Sequence, residues 1–246
     1  MRNFKMILQY EGTRYQGWQK QESTDNTIQG KLESLLSKMN GGTVEVHGSG
    51  RTDAGVHAYG QVANFKIDTE KSTEELMEYI NQYLPEDIAV IELTEVSERF
   101  HSRLNAKRKI YRYRVMNTNK PHVFARRYVY QVPDKLDVGA MQTAANLLCG
   151  EHDFQAFTSA KKGKKSTIRR VDSIKIERMG DEIWFTFYGN GFLYHMVRIL
   201  MGTLLEVGKG IRKPEDMTSI IASKDRQQAG PLVPAKGLAL MEVFYE

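Results

Sequence analysis

The stretch TVEVHGSGRTDAGVHAYGQVANFKI, residues 43–67, predicts two β-strands joined by an unusually long connection. The flanking segments TVEVH and YGQVANFKI are rich in β-branched and aromatic residues, which is typical of strands. Between them, GSGRTDAGVHA places three glycines around one arginine, one aspartate and one histidine. A turn of about two residues can join antiparallel strands. A connection of about ten residues therefore indicates a function rather than a requirement of folding.

The segments around this stretch predict the order β-α-β-β-α-β for the first half of the chain. Alternating apolar residues predict a strand over MRNFKMILQY, and IAVIELTEV predicts another near residues 88–96. Apolar residues at helical spacing between residues 28 and 39 predict a helix that Asn26 or Thr27 can cap. Ser72 and Glu75 form the capping box of a second helix. This order is that of the ferredoxin-like arrangement.

The second half repeats this order of elements without a repeat of residues. The predicted elements are a strand in KIYRYRVM, a helix from Val138 to Leu148, strands in DSIKIER and EIWFTFY joined by a tight turn, a helix from about Phe192 to Val207, a helix near Pro214 and a strand in GLALMEVFY. The predicted fold is α+β, with two ferredoxin-like halves whose antiparallel sheets flank a central basic cleft. The predicted domains are residues 1–104 and 105–246.

The chain has a formal net charge of +5, and its Lys and Arg residues are concentrated in three segments. These segments are NAKRKIYRYR, ARRY and KKGKKSTIRR. Cations interleaved with tyrosines suit phosphate contacts and base stacking, although solvated surface charge explains the same pattern. Charge alone leaves both interpretations open. The last segment supplies four candidate RNA-binding lysines, which are Lys161, Lys162, Lys164 and Lys165.

Other features of the sequence narrow the class of protein. The single cysteine, Cys149, suits a reducing compartment and a buried site. The N-terminal segment has no signal-peptide core, and the apolar run GFLYHMVRILMGTLLEVG is interrupted by His195 and Arg198. We therefore expect a soluble cytoplasmic protein with no membrane contact. His47 and His57 are close in sequence but lack further ligands at metal-binding spacing, so we expect no metal.

Asp53 and Arg198 are candidates for a functional pair. Asp53 in its glycine-rich loop suits either an Asx-turn or a ligand contact. Arg198 is the only formal charge between Phe192 and Leu205 in an apolar helix. A buried guanidinium needs an anionic partner, whereas a snorkelling one reaches water. If Arg198 is buried, Asp53 is a candidate partner that it would keep ionised and nucleophilic.

The segment IYRYRV predicts a strand with two different faces. Tyr111 and Tyr113 fall on one face, and Arg112 and Arg114 fall on the other. The tyrosines suit either the protein core or stacking on an RNA base.

Several motifs together resemble the tRNA pseudouridine synthase A family almost from end to end. The motifs are YEGTRYQGWQ, GRTDAGVHA, FHSRLNAKRKIYRY, GEHDFQAF, GFLYHMVRILMGTLLEVG and GPLVPAKGLALMEVFY, in the order and spacing of the family. The catalytic-loop match GRTDAGVHA is long and specific. Glu11 stands in the first motif where the family more often has aspartate.

The resemblance implies a role for five residues. Asp53 would be the nucleophile, and Arg51 in the same motif would be a catalytic residue. Tyr111 would stack on the target base, Arg198 would pair with the aspartate, and Leu238 would pack under the uracil.

The resemblance also implies an isomerase that converts uridine to pseudouridine at positions 38 to 40 of the tRNA anticodon stem-loop. The enzyme would flip the base, act as a homodimer in the cytoplasm, and need no cofactor. Attack of the aspartate on C1′ or on C6 stays open. A non-catalytic RNA-binding protein would also explain the cations and tyrosines. A glycosidase would explain the aspartate, but it usually needs a second, protonated carboxyl group.

Overall fold

The computed structural model describes residues 1–161, 163 and 166–246, so Lys162, Lys164 and Lys165 lie outside the described residues. The described part is a mixed α+β fold whose strand pairs are mostly antiparallel, which confirms the predicted class. The strands are β1 Arg2–Tyr10, β2 Val46–Gly48, β3 His57–Ile67, β4 Ile88–Val96, β5 Arg108–Met116, β6 Tyr130–Gln131, β7 Gly150–Asp153, β8 Ile168–Met179, β9 Glu182–Gly189 and β10 Leu238–Phe244. The helices are α1 Ile28–Asn40, α2 Thr73–Tyr83, α3 Val138–Leu147, α4 Met196–Gly208 and α5 Asp216–Ser223.

The chain forms two compact units. The first comprises Met1–Lys107 and Ala239–Glu246, and the second comprises Arg108–Leu238. The last eight residues are thus grouped with the first unit, whereas the sequence placed them in the second half. The domain boundaries at residues 1–104 and 105–246 stay a prediction.

The first unit is built on a sheet in which β1 lies between β3 and β4, with antiparallel pairing on both sides. β2 pairs antiparallel with β3 from Val46 to Gly48, and β10 pairs parallel with β3 near its start. The core is formed by fully buried apolar side chains from the strands and from α1 and α2. They include Phe4, Met6, Leu8, Leu32, Leu36, Phe65, Leu76 and Ile80.

The second unit is built on the antiparallel pairs β5–β9, β9–β8 and β8–β7, while the short β6 pairs parallel with β5. α3 packs against β8 and against α4, with buried residues such as Met141 and Leu200. Two residues, Gly180 and Asp181, join β8 to β9. Gly180 has φ +64°, a left-handed conformation that glycine adopts without steric cost. The tight turn expected at MGD is confirmed.

Helix caps follow the sequence, but some boundaries differ from it. Thr27 caps α1 through the amide of Gly30, and the capping box of Ser72 and Glu75 is present in α2. α4 begins at Met196 rather than near residue 192, because His195 has φ +64° and interrupts the helical conformation. The short strands β6 and β7 were not expected, since two to four residues give too little periodicity to detect.

Candidate active site

The loop of residues 49–56 joins β2 to β3 and carries the predicted nucleophile. Asp53 is half-buried, Thr52 before it is buried, and Arg51 is exposed. The carbonyl of Asp53 accepts the amide proton of Val56 at 3.1 Å, and Gly55 has φ +79°. The backbone therefore turns tightly just after Asp53, with glycine at the position that requires a left-handed conformation.

The segment of residues 10–19 holds this loop on both sides of Asp53. The amide of Trp18 donates to the carbonyl of Thr52 at 3.0 Å. The amide of Gly55 donates to the carbonyl of Tyr15 at 3.3 Å. Two hydrogen bonds to one short segment thus bracket Asp53 and restrict the position of its backbone.

Glycines permit this close approach of the two segments. A Cβ atom on Gly12 would lie 2.0 Å from the carbonyl oxygen of Val56. A Cβ atom on Gly48 would lie 2.5 Å from the indole ring of Trp18. Both distances are too short for any side chain, so these glycines provide room for the loop rather than flexibility.

Buried polar side chains support the start of the loop. The hydroxyl groups of Tyr10 and Thr52 are 2.8 Å apart. The amide nitrogen of Gln61 donates to the carbonyl of Gly50 at 3.1 Å, and its oxygen accepts from the hydroxyl of Ser49 at 2.7 Å. Burial raises the pKa of Tyr10 to about 12, so its phenol stays protonated at neutral pH.

Tyr15 and Asp87 anchor the holding segment to the rest of the first unit. The hydroxyl of Tyr15 donates to a carboxylate oxygen of Asp87. Burial, followed by the neighbouring Asp87, raises the pKa of Tyr15. The carbonyl of Asp87 also accepts the amide proton of Glu11 at 2.9 Å. The segment that restricts the Asp53 backbone is therefore itself fixed at two points.

Glu11 and His57 have structural partners in this region. The carboxylate of Glu11 accepts the amide proton of Thr13 at 3.0 Å and caps the turn at residues 12–14. His57 accepts the amide proton of Gly12 on Nδ1 at 3.0 Å. The carboxylate of Glu11 also lies 3.6 Å from Nδ1 of His57.

In the second unit, the two faces of β5 separate as expected. Tyr111 and Tyr113 are buried, at 8% and 0% exposure. The ring of Tyr111 meets the ring of Phe192 edge-on, with centroids 5.3 Å apart. The hydroxyl of Tyr113 donates to the carbonyl of Pro234 at 2.7 Å. Tyr113 is thus a satisfied core residue, and Tyr111 belongs to an aromatic pair.

Arginines of the first basic segment have acidic or aromatic partners. Arg108 lies 2.7 Å from Asp172. Arg114 binds Glu182 through two hydrogen bonds of 2.7 and 2.9 Å, which hold the pKa of Glu182 below its ordinary value. The guanidinium of Arg112 lies 4.6 Å from the ring centroid of Trp184. These three arginines therefore stabilise the sheet through their partners. The positive charge of the segment is larger than the charge that is left for contacts with RNA.

Arg198 and Leu238 lie in the second unit with Tyr111. Arg198 is half-buried on α4, and its Nε donates to the carbonyl of Val233 at 2.8 Å. The Arg198 side chain is therefore partly buried and hydrogen-bonded. Its pairing with Asp53 stays a prediction. Leu238 is buried at the start of β10, with 5% exposure. The roles of Arg51, Asp53, Tyr111, Arg198 and Leu238 in catalysis stay predictions.

The last basic segment begins between β7 and β8 and ends within β8, at Arg169 and Arg170. Lys161 is exposed, and the predictions for Lys162, Lys164 and Lys165 fall outside the described residues. Asp153 lies near the base of this connection, where it accepts a hydrogen bond from Thr167 and pairs with Lys224 at 2.9 Å.

Two further features are absent from the described residues. No helix among them is long and apolar enough to cross a membrane. The same residues contain no group of three or more His, Cys, Asp or Glu side chains arranged to hold a metal ion.

Sequence reasoning missed the residues that support the loop. Tyr10 and Tyr15 lie in the first family motif, but nothing in its spacing gave their side chains a role. Gln61 and Asp87 lie far from that motif in sequence, and only the folded sheet brings them to it. A polar residue inside the apolar alternation of β3 was the one available signal for Gln61.

Comparison with known proteins identifies the class and the family of the chain. The family model described as tRNA pseudouridine synthase matches residues 6–105 and 144–246. The class is therefore that of isomerases that act on tRNA. The chain belongs to the tRNA pseudouridine synthase family.

Relatives align along the whole chain, including residues 106–143, which contain Tyr111 and lie outside the family-model match. The tRNA pseudouridine synthase A of Bacillus sp. (strain KSM-64) is 50% identical over 100% of both chains. The tRNA pseudouridine synthase A 1 of Clostridium tetani is 48% identical, and the tRNA pseudouridine synthase A 2 of Bacillus anthracis is 44% identical, again over 100% of both chains. Among solved structures, a dye-decolorizing protein from V. cholerae covers 98% of this chain and 91% of its own at 11% identity. Its TM-score of 0.21 is too low to indicate a shared fold.

Proposed function

We propose that the chain isomerises uridine to pseudouridine at positions 38, 39 and 40 of the tRNA anticodon stem-loop, with Asp53 as the nucleophile. Family membership gives the reaction and the substrate class, and the resemblance of the motifs gives the positions. The observation that carries the proposal is the Asp53 loop. Its backbone is bracketed by hydrogen bonds from Trp18 and to Tyr15, so a carboxylate is held in place on a loop far longer than chain reversal requires.

The proposed reaction conserves the atoms of the substrate. The bond between N1 of uracil and C1′ of ribose breaks, the base turns, and a bond forms between C5 and C1′. The hydrogen on C5 leaves as a proton, and N1 gains one. The carboxylate of Asp53 attacks either C1′ or C6, and both routes suit an ionised aspartate. No oxidant or reductant is consumed.

Groups of the second unit would bind the displaced base. Enzymes that act on a base take it out of the helical stack and hold it by stacking. Tyr111, supported edge-on by Phe192, would stack on the uracil, and Leu238 would pack on it. Arg198, fixed by the carbonyl of Val233, would balance the charge of Asp53. Arg51, exposed beside Asp53, would be a catalytic residue of the same loop. Lys161, Lys162, Lys164 and Lys165 would contact the RNA backbone.

The finer description of the fold is part of the same proposal. We propose two ferredoxin-like halves, at residues 1–104 and 105–246, which flank a basic cleft for RNA. The order β4–β1–β3–β2 and the sequence β-α-β-β-α-β of the first unit support the first half. The resemblance further suggests a homodimer that works in the cytoplasm without a metal or cofactor.

Tritium release from tRNA labelled at uracil C5 tests the proposal. Isomerisation frees that hydrogen, whereas passive RNA binding frees none and a glycosidase liberates free base. Replacing uridines 38 to 40 with cytidine should abolish release from the same tRNA. Binding without release would favour the non-catalytic RNA-binding alternative, and release from the cytidine-substituted tRNA would overturn the assigned positions.

A further inference from the structure

A buried polar cluster lies directly beneath the loop that carries Asp53. Its members are Tyr10 on β1, Gln61 on β3, and Ser49 and Thr52 in the loop. All four are at most 6% exposed, and Gln61 is completely buried. Buried polar side chains are stable only when they are hydrogen-bonded, so the bonds of this cluster restrict where its members can lie.

The hydrogen bonds of Gln61 fix the orientation of its amide. Its oxygen accepts from the hydroxyl of Ser49 at 2.7 Å and from the amide of Val62 at 3.2 Å. Its nitrogen donates to the carbonyl of Gly50 at 3.1 Å, with the hydroxyl of Tyr10 at 3.4 Å. The carbonyl of Gly50 can only accept, so the amide cannot be turned around without losing this bond.

The cluster acts on the residues just before Asp53. Gln61 binds Ser49 and Gly50, and Tyr10 binds Thr52. Gln61 thus holds the backbone just before Arg51 through the carbonyl of Gly50, and Tyr10 holds the side chain of Thr52, the residue that directly precedes Asp53. They complement the contact of Trp18 with the carbonyl of Thr52.

We infer that Tyr10, Gln61 and Thr52 are positioning residues for the isomerisation, acting through the loop backbone on the carboxylate of Asp53. The inference rests on the proposed function, because it takes Asp53 as the reacting group. A misplacement of about 1 Å in a reacting group can cost about 100-fold in rate. Loss of one hydroxyl of the cluster should therefore slow the chemical step more than it weakens tRNA binding.

The test uses hydroxyl deletions that keep side-chain shape. Tyr10→Phe removes the hydroxyl but keeps the ring that packs near Trp18, and Thr52→Val removes the partner hydroxyl. Thr52→Ser keeps that hydroxyl and is the rescue variant. Tyr245→Phe is the matched control, because the hydroxyl of Tyr245 donates to the carbonyl of Ser102 at 2.7 Å elsewhere in the first unit.

Single-turnover isomerisation at saturating enzyme and the Kd for tRNA are measured for each full-length variant. We expect Tyr10→Phe and Thr52→Val to lower the rate constant by about 10- to 100-fold, with Kd within threefold of the parent. The double variant should be no slower than the slower single variant, since both remove the same contact. Thr52→Ser and Tyr245→Phe should isomerise within threefold of the parent.

Amide hydrogen exchange gives a readout that does not depend on chemistry. Tyr10→Phe should speed exchange of the amides of Ser49 and Trp18, and Tyr245→Phe should not. The inference is wrong if Tyr10→Phe isomerises within threefold of the parent, or if Tyr245→Phe loses as much activity as Tyr10→Phe. Failure of the proposed function looks different, because the parent would then release no tritium or Asp53→Asn would remain active.

Discussion

The two hairpins β2–β3 and β8–β9 reverse the chain with connections of very different length. Each reverses the chain between antiparallel strands, but β8–β9 uses Gly180 and Asp181 whereas β2–β3 uses residues 49–56. The additional residues are ordered by partners outside the hairpin. Ordering a residue costs about 1–2 kcal/mol of conformational entropy. The partners of the long loop offset this cost. A loop that needs such support indicates a function for the residues on it, here Asp53.

Glycine also has a different use in each hairpin. At Gly180 the backbone has φ +64°, and a Cβ atom would meet nothing within 4 Å. Gly48 has an ordinary φ, but its Cβ atom would meet the indole ring of Trp18. The short turn needs glycine for its conformation, and the long loop needs glycine for room.

The strongest test of this difference exchanges the aspartate in each hairpin for asparagine. We expect Asp53→Asn to keep the fold and tRNA affinity while turnover falls by at least about four decades, or about 5 kcal/mol of barrier. An amide cannot replace a carboxylate nucleophile. Single-turnover tritium release from C5-labelled tRNA measures the effect.

Asp181→Asn is the matched control, because Asp181 is exposed and occupies the short turn. It should isomerise at the rate of the parent. If Asp53→Asn isomerises within tenfold of the rate of the parent, Asp53 is not the nucleophile.

The strands and the connection of both hairpins could be predicted from sequence. The contacts that hold the connection in place could not be predicted for β2–β3. The β8–β9 turn depends on neighbours in sequence, so alternation and the dipeptide Gly180–Asp181 were sufficient. The β2–β3 loop was recognised by its length and glycines, and its motif by resemblance. Its supports could not be found, because Tyr10 and Gln61 are 51 residues apart and meet only through strand pairing.

Local conformation limited the prediction elsewhere as well. Apolar spacing alone extends α4 back to Phe192, but the left-handed backbone of His195 stops it at Met196. Few non-glycine residues adopt that conformation, and the apolar spacing of the segment carries no signal for it. For Arg198, composition left burial and snorkelling open, and it could not reveal the bond to the carbonyl of Val233, which lies 35 residues away in sequence.

A second test replaces one glycine in each hairpin with alanine. Gly48→Ala places a methyl group against the indole of Trp18, which should cost about 1–3 kcal/mol and displace the segment that holds Asp53. We expect isomerisation at saturating enzyme to slow by about tenfold, because reactivity depends steeply on geometry. Gly180→Ala should cost about 1–2 kcal/mol from left-handed strain and leave the rate within twofold. Thermal unfolding and single-turnover rates measure both effects, and equal rate losses would mean that the long loop is no more sensitive than the short one.

The smallest expected effect concerns the connection between β7 and β8, which is long like the Asp53 loop but rich in lysine. If this connection contributes charge rather than geometry, changing Lys161, Lys162, Lys164 and Lys165 to glutamine should weaken tRNA binding without altering the rate at saturating enzyme. The slope of log Kd against log salt should fall by about 0.7 for each lysine that had neutralised a phosphate of single-stranded RNA, or about 0.9 for a duplex phosphate. Lys175→Gln is the control, because this lysine already pairs with Glu177 on the same strand. An unchanged slope would assign the segment to ordinary solvated charge, whereas a slower step at saturating enzyme would mean that this loop, too, positions the reacting groups.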